Sequence, residues 1–331
     1  MPDNPPADTS PEPHQVRVGV VIPCYNHGAF VADAVNAALG QIECEGVTLD
    51  IHVVVIDDGS TDDQTPSACD ACAGERVVVI HQQNMGLPAA RNRGVREICD
   101  VDYFVFLDAD DWIEPTFCAK LVRALLDSDD AASHAYCQER LVGLGTGIWE
   151  VPEWDADLLM ITNLHPVTCV VKRACFGTVG GFNEAMTNGY EDWDFWLKIA
   201  ESGWHGVRVR EPLFVWRRHS HDTMVMNVIA HHESLYRTII DNHRAFYESQ
   251  MEDVAVRTNV LLRKFNMNWI DETGYPKELR YLQSVRDRYN ASGVVAARDR
   301  AEMFLQRSPR VIADPIRACL RTMKRVILKS Q

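Results

Sequence analysis

The run Tyr103-Phe104-Val105-Phe106-Leu107 ends abruptly in Asp108-Ala109-Asp110-Asp111, a join that few folds tolerate. A row of apolar, mostly β-prone residues suits a strand covered on both faces. Such strands belong to open α/β sheets, which hold their ligands at the carboxyl edge. Three carboxylates emerge together at that edge here. Carboxylates so close repel one another, and a divalent cation relieves the repulsion. Hard oxygen ligands on Mg²⁺ or Mn²⁺, bridging to a diphosphate, are the natural use. The run alone leaves one alternative open, an acidic turn capping the next helix at Pro115.

The residues before it repeat the pattern. Arg17-Val18-Gly19-Val20-Val21-Ile22-Pro23 reads as a first strand, closed by the loop Cys24-Tyr25-Asn26-His27-Gly28. Phe30, Val31, Ala34, Val35, Ala38 and Leu39 then recur at helical spacing, and the helix stops near Gly40. Ile51-His52-Val53-Val54-Val55-Ile56 reads as a second strand that also ends in carboxylates, Asp57-Asp58, followed by Gly59-Ser60-Thr61-Asp62. Arg76-Val77-Val78-Val79-Ile80 is a third, and residues 84–94 form a loop feeding a helix. Strands alternating with helices predict an α/β fold with a mostly parallel sheet of βαβ units.

Together these residues resemble family-2 inverting glycosyltransferases with the GT-A fold (a Rossmann-like sheet flanked by helices). The resemblance rests on Ile22-Pro23-Cys24-Tyr25-Asn26, Val55-Ile56-Asp57-Asp58-Gly59-Ser60-Thr61-Asp62, residues 86–92 and Asp108-Ala109-Asp110-Asp111, in the family's order and spacing. A fifth match, Gly180-Gly181-Phe182-Asn183-Glu184 followed by Tyr190-Glu191-Asp192-Trp193, is similar to the family's acceptor-side segment. The match spans about residues 16–220.

The resemblance implies a nucleotide-sugar donor, a glycan or lipid-linked acceptor, a Mg²⁺ or Mn²⁺ cofactor, and a place in cell-surface polysaccharide or glycoconjugate synthesis. Pro23 and Tyr25 would shape the base and ribose pocket. Asp58 would accept the N3–H of a uracil or thymine, although a helix N-cap is its other reading, a role open equally to Ser60 or Thr61. Arg91 would face the nucleotide or donor sugar, or else lie on a surface helix. Asp108 would touch ribose or donor sugar and Asp110 would ligate the metal, with Asp111 serving it or capping the next helix. Arg217-Arg218-His219 matches an Arg-x-His near the family's end, so His219 would ligate the metal or bond a phosphate. Asp192 would be the catalytic base and Glu191 would position it or bind acceptor hydroxyls. Trp193 and Trp196 would raise the base's pKa, stack on sugars or fill the core. The Gln-x-x-Arg-Trp box of processive members is missing, which implies one sugar per encounter.

Other classes fit less well. A nucleotidyltransferase wants a Gly-rich, Lys- or Arg-bearing phosphate loop after the first strand, whereas residues 24–28 offer only His27. A nucleotide-sugar-binding module without catalysis has no chemical need for both Asp110 and Asp192. A net charge of −14 argues against nucleic-acid binding. Residues 1–15 read as a disordered tail without the form of a secretory signal, and no run reaches the roughly 18 apolar residues of a membrane span. Ten scattered cysteines suit a reduced cytoplasm, and Cys69-Asp70-Ala71-Cys72 lacks a second pair at zinc spacing.

Residues 221–331 read as a helical extension, with apolar periodicity over 224–251, again over 254–269, and in two shorter stretches between 277 and 307. In residues 315–331, Ile316, Leu320, Met323 and Ile327 share a helical face surrounded by five basic side chains. That stretch suits peripheral contact with the inner face of the plasma membrane or ordinary packing. Acceptor and donor specificity are expected in residues 135–186 and in the extension.

Overall fold

The computed structural model describes residues 14–44, 46–98, 100–219 and 223–267. The elements run β1 (His14–Cys24), α1 (Val31–Leu39), β2 (Val47–Asp57), α2 (Thr65–Asp70), β3 (Val77–His81), α3 (Leu87–Glu97), β4 (Tyr103–Phe106), β5 (Trp112–Ile113), α4 (Phe117–Leu126) and β6 (Ala132–Gly143). They continue with β7 (Gly147–Trp149), α5 (Ala156–Leu159), β8 (Val170–Lys172), α6 (Arg173–Val179), α7 (Glu191–Glu201), β9 (His205–Arg218), α8 (Thr223–Asn242), α9 (Arg244–Ser249) and α10 (Met251–Met267). Among the described residues, nine strands form one sheet in the order β3-β2-β1-β4-β8-β6-β9-β5, with β7 beside β6.

The first four strands are parallel, as the βαβ pattern predicts. Beyond β4 the sheet is mixed. β8 runs antiparallel to both β4 and β6, β9 is parallel to β6, and β5 is antiparallel to β9. Successive β1 residues alternate between two cores: Val18, Val20 and Ile22 pack with α1 and α4, while Val21 packs with α3 and α7. Both faces are covered, which is why the strand reads as a continuous apolar run rather than an alternating one. α3 lies especially close: a Cβ on Gly94 would meet Val21 Cγ1 at 2.3 Å. α4 buries Phe117, Cys118, Leu121, Val122 and Leu125 on one stripe, at about 1.5–3 kcal/mol for each large side chain removed from water.

His14 and Gln15, expected in the N-terminal tail, open β1 instead, and His14 N bonds Gly46 O at 2.8 Å. The helix expected over residues 224–251 is broken at His243, between α8 and α9. The break seats the buried His243 imidazole between Asp194 (3.4 Å) and Glu201 (3.0 Å) of α7. Burial opposes its charge, but the two carboxylates win and raise it to about 9. Ile239, Tyr236, Phe246 and Tyr247 join the core that holds α7.

The chain divides into the unit Met1–Arg257, which carries α8 and α9, and the unit Thr258–Gln331, described only where α10 continues to Met267. The stretches expected between 277 and 307, and the basic segment 315–331, lie outside the described residues. Among those described, no helix is long and apolar enough to cross a membrane. Cys69 is buried in α2 and Cys72 donates its thiol to Ala68 O at 3.3 Å.

Candidate active site

Parallel register brings the ends of three strands to one edge. Cys24 of β1 stands beside Asp57 of β2, and Val21 beside Phe106 of β4, so the loops after them meet. Asn26, in the left-handed region at φ 57°, accepts from Thr61 N at 2.7 Å and Asp62 N at 3.2 Å and so stitches the first loop to the second. Pro23 is buried at the end of β1, while the Tyr25 ring stands exposed on the edge.

Asp58 is buried and caps no helix. Its Oδ1 accepts from Gln82 Nε2 (2.7 Å) and Met85 N (2.9 Å), and its Oδ2 accepts from Gly86 N (2.9 Å). Of the roughly four lone-pair sites on a carboxylate, one stays available. Gly59 allows the approach, since its φ is +71° and a Cβ there would lie 2.5 Å from Asn84 N. The capping role left open for Asp58, Ser60 or Thr61 falls to Asp62, whose Oδ1 accepts from Gln64 N and Thr65 N at the start of α2.

Arg91 is not a surface side chain. It is 1% exposed in α3, with one guanidinium nitrogen donating to Asp108 Oδ1 and the other to Glu191 Oε1, each at 2.8 Å. Its flat face lies 5.5 Å over the Phe182 ring. Burial works against its charge, but Asp108 and Glu191 more than offset that and raise its pKa. Its neighbour Asn92 accepts from Phe182 N (2.9 Å) and donates to Phe182 O (2.9 Å) and Glu184 Oε1 (3.0 Å). Consecutive side chains of α3 thus anchor the segment leading into α7.

Asp110 meets His219 of β9's end, Oδ2 to Nε2 at 3.1 Å, and His27 stands 3.8 Å from its Oδ1. Burial and the charge of Asp108 raise the Asp110 carboxyl, with His27 and His219 pulling the other way. Asp111 is no helix cap. It is buried, its Oδ1 accepts from Arg217 N at 2.7 Å, and burial together with Asp110 and Asp108 pushes it well up. Arg217 itself is held over Phe30 and Trp112 and bonds Asp33 at 3.1 Å. Among the described residues no three His, Cys, Asp or Glu side chains are grouped to cage a metal by themselves. One carboxylate with an imidazole, in a cluster of surplus negative charge, is a donor set that fits a hard cation sharing its remaining positions with phosphate and water.

Asp192 lies in the first turn of α7, after Tyr190 in the left-handed region at φ 63°. Asn163 Nδ2 donates to its Oδ2 at 2.8 Å. Burial and Glu191 push its carboxyl up to about 7, while Arg91 and Asn163 pull it down. Trp193 and Trp196 are buried at 1% and 0% exposure, and Trp193 Nε1 donates to Leu159 O, so neither is free to stack on a sugar. Asn163 escaped the sequence reading because it sits in a loop without motif, 29 positions from its partner. His27 belongs to the loop after β1, where nothing local in the sequence points it at Asp110.

Residues 19–147 match the model of the family described as Glycosyl transferase family 2. EpsH of Bacillus subtilis is 32% identical over 169 residues, 50% of this chain and 45% of that protein. Chondroitin synthase of Escherichia coli is 30% identical over 192 residues, 56% of this chain and 27% of that protein. The chain thus spans less than half the length of these relatives. Among solved structures, the mannosyltransferase PcManGT of Pyrobaculum calidifontis, in complex with GDP-Man and Mn²⁺, superposes with a TM-score of 0.52 at 21% identity, over 70% of this chain and 66% of that one. Residues 1–349 of TarS of S. aureus, in complex with UDP-GlcNAc, give 0.51 at 17% identity, over 70% and 73%. The fold is GT-A.

Proposed function

We propose that the chain, whose residues 19–147 match the glycosyl transferase family 2 model, is a non-processive, inverting glycosyltransferase of that family. In this reading it moves one sugar from a UDP- or dTDP-linked donor to a hydroxyl of a glycan or lipid-linked acceptor, with Mg²⁺ or Mn²⁺ as cofactor. The observation that carries the reading is the buried Arg91 fork. One side chain holds Asp108, on the donor side, and Glu191, adjacent to Asp192, on the acceptor side. A single displacement needs that coupling, because donor carbon and base must face one another at fixed distance.

Asp58 takes the base N3–H on its remaining lone pair, with Pro23 and Tyr25 walling the nucleoside. Asp108 contacts ribose or donor sugar. Asp110 and His219 would hold the divalent cation, which when bound neutralises charge on the departing nucleoside diphosphate. Asp192 takes the acceptor proton; a carboxyl raised to about 7 is matched to that work near neutral pH. Asn163 fixes its Oδ2, and Glu191, tied to Arg91, fixes the turn that carries it. GDP-Man with Mn²⁺ bound to PcManGT, and UDP-GlcNAc bound to TarS, support a nucleotide-sugar site and a divalent metal.

A panel of UDP-, dTDP- and GDP-sugars with Mn²⁺ tests the reading. Nucleotide release should disappear in excess EDTA, and Asp110→Ala should abolish it while the melting temperature stays near wild type. Full turnover in EDTA refutes the metal, and a product with retained anomeric configuration by proton NMR refutes the single displacement.

Asn163→Ala has a different signature. Its hydrogen bond favours the Asp192 carboxylate, so removing it raises the pKa further and the base becomes available only at higher pH. The rising limb of kcat/KM against pH, expected near 7 in the wild type, should move up in the variant. An unshifted limb would show that Asn163 does not act through the base.

A further inference from the structure

Glu139 has no part in this scheme, yet it is the most unusual carboxyl of the site. It lies on β6 between its partners Trp149 of β7 and Phe214 of β9. It is 1% exposed, and its Oε1 is fully enclosed with no hydrogen-bond partner among the described residues. No cation is paired with it there. Its strand partner β9 carries, three residues past Phe214, the Arg217 amide that binds Asp111. Burial and Asp192 raise its carboxyl, and it in turn adds to the rise of Asp111 and Cys169. Strand register thus sets Glu139 beside the strand that leads to Asp111 on the metal side, and it feels the charge of the base Asp192.

A buried carboxyl oxygen left without a partner is costly. Native structures hold few such groups, and a functional role is one recognised reason for keeping one. We propose that Glu139 is a further substrate-contacting residue, whose carboxyl bonds a hydroxyl of the sugar bound between Asp110 and Asp192. Burial and Asp192 push it up to about 8, so at neutral pH it keeps its proton and can both donate to and accept from that hydroxyl. A site built this way discriminates against a sugar lacking the hydroxyl, because the buried acid is then left unpaired. The inference rests on the proposed glycosyl transfer.

The test uses the full-length protein with Glu139→Leu and Glu139→Gln. Leu removes the orphan polar group at similar volume, and Gln keeps hydrogen bonding without the acid. Melting temperature, UDP–Mn²⁺ affinity by calorimetry, and nucleotide release from the active donor, with and without an acceptor-sugar panel, are measured. Glu139→Leu should melt at or above wild type and bind UDP–Mn²⁺ within twofold, while turnover falls about tenfold or more; Glu139→Gln should fall between them. A loss confined to reactions with acceptor assigns the hydroxyl to the acceptor, and a loss shared by donor hydrolysis assigns it to the donor. Wild-type turnover in Glu139→Leu overturns the proposal and leaves the transferase reading standing. So does a drop in melting temperature in both variants that accounts for lost turnover. A wild-type protein that neither binds UDP–Mn²⁺ nor turns over any donor removes the transferase reading, and this proposal with it.

Discussion

Asp192→Asn should lower transfer by about 10²–10⁴-fold, the range that general-base assistance supplies, with donor affinity nearly unchanged. The amide keeps the size of the carboxyl and its bond with Asn163 can re-form with the oxygen facing it, but it cannot take a proton at neutral pH. Asp192 bonds Asn163, whereas Asp58 is held by Gln82, Met85 and Gly86, so the substitution leaves the nucleotide loop's own bonds intact. Comparing kcat/KM for the acceptor with the Kd for UDP–Mn²⁺ checks both halves. A variant retaining most of its turnover would move the base to another group, Glu191 first.

Arg91→Met should cause the largest loss of stability. Methionine fills much the same volume but leaves Glu191 and Asp108 without the cation that holds them. Breaking a buried ion pair costs about 3–5 kcal/mol. At about 2–4 °C per kcal/mol for a domain of this size, the melting temperature should fall by about 10 °C. Turnover should fall as well, because Asp108 and the α7 turn lose their common anchor. Arg91→Lys should not rescue it, since an ammonium cannot reach two carboxylates in the fork geometry. Removing one orphaned charge with Glu191→Gln in the Arg91→Met background should recover part of the melting temperature and little of the turnover. A single variant melting within about a degree of wild type, against the several degrees a broken buried pair costs, would mean that Arg91 does not hold the two carboxylates in place.

α7 is tied to α8 and to the turn that follows it by several side chains. His243 reaches Asp194 and Glu201, Asn242 donates to Asp194 Oδ1 at 2.7 Å, and Tyr236 stacks on Trp193 at 5.3 Å. The helix break at His243 is invisible in periodicity, because no Gly or Pro marks it. What ends α8 is a tertiary ion pair.

The sequence by itself determined the parallel half of the sheet. Val-rich runs, a glycine where α3 must approach β1, and polar residues after each strand, carboxylates after β2 and β4, are local signals, each decided within a few residues of chain. It also determined which residues crowd the carboxyl edge, since parallel strands of one sheet present all their C-terminal ends on the same side. The mixed half was decided only in three dimensions. β8 has three residues and β5 two, too few to display a period, and their pairing is set by which edges the longer strands leave open. The same holds for the site's inner connections. Arg91 and Glu191 are 100 positions apart and Asp192 and Asn163 are 29 apart; a buried guanidinium and a surface one look alike in sequence. Residue types fix which charges are available, but only packing removes the water around them, and that desolvation is what sets Arg91, Asp192 and Glu139 apart from ordinary polar side chains.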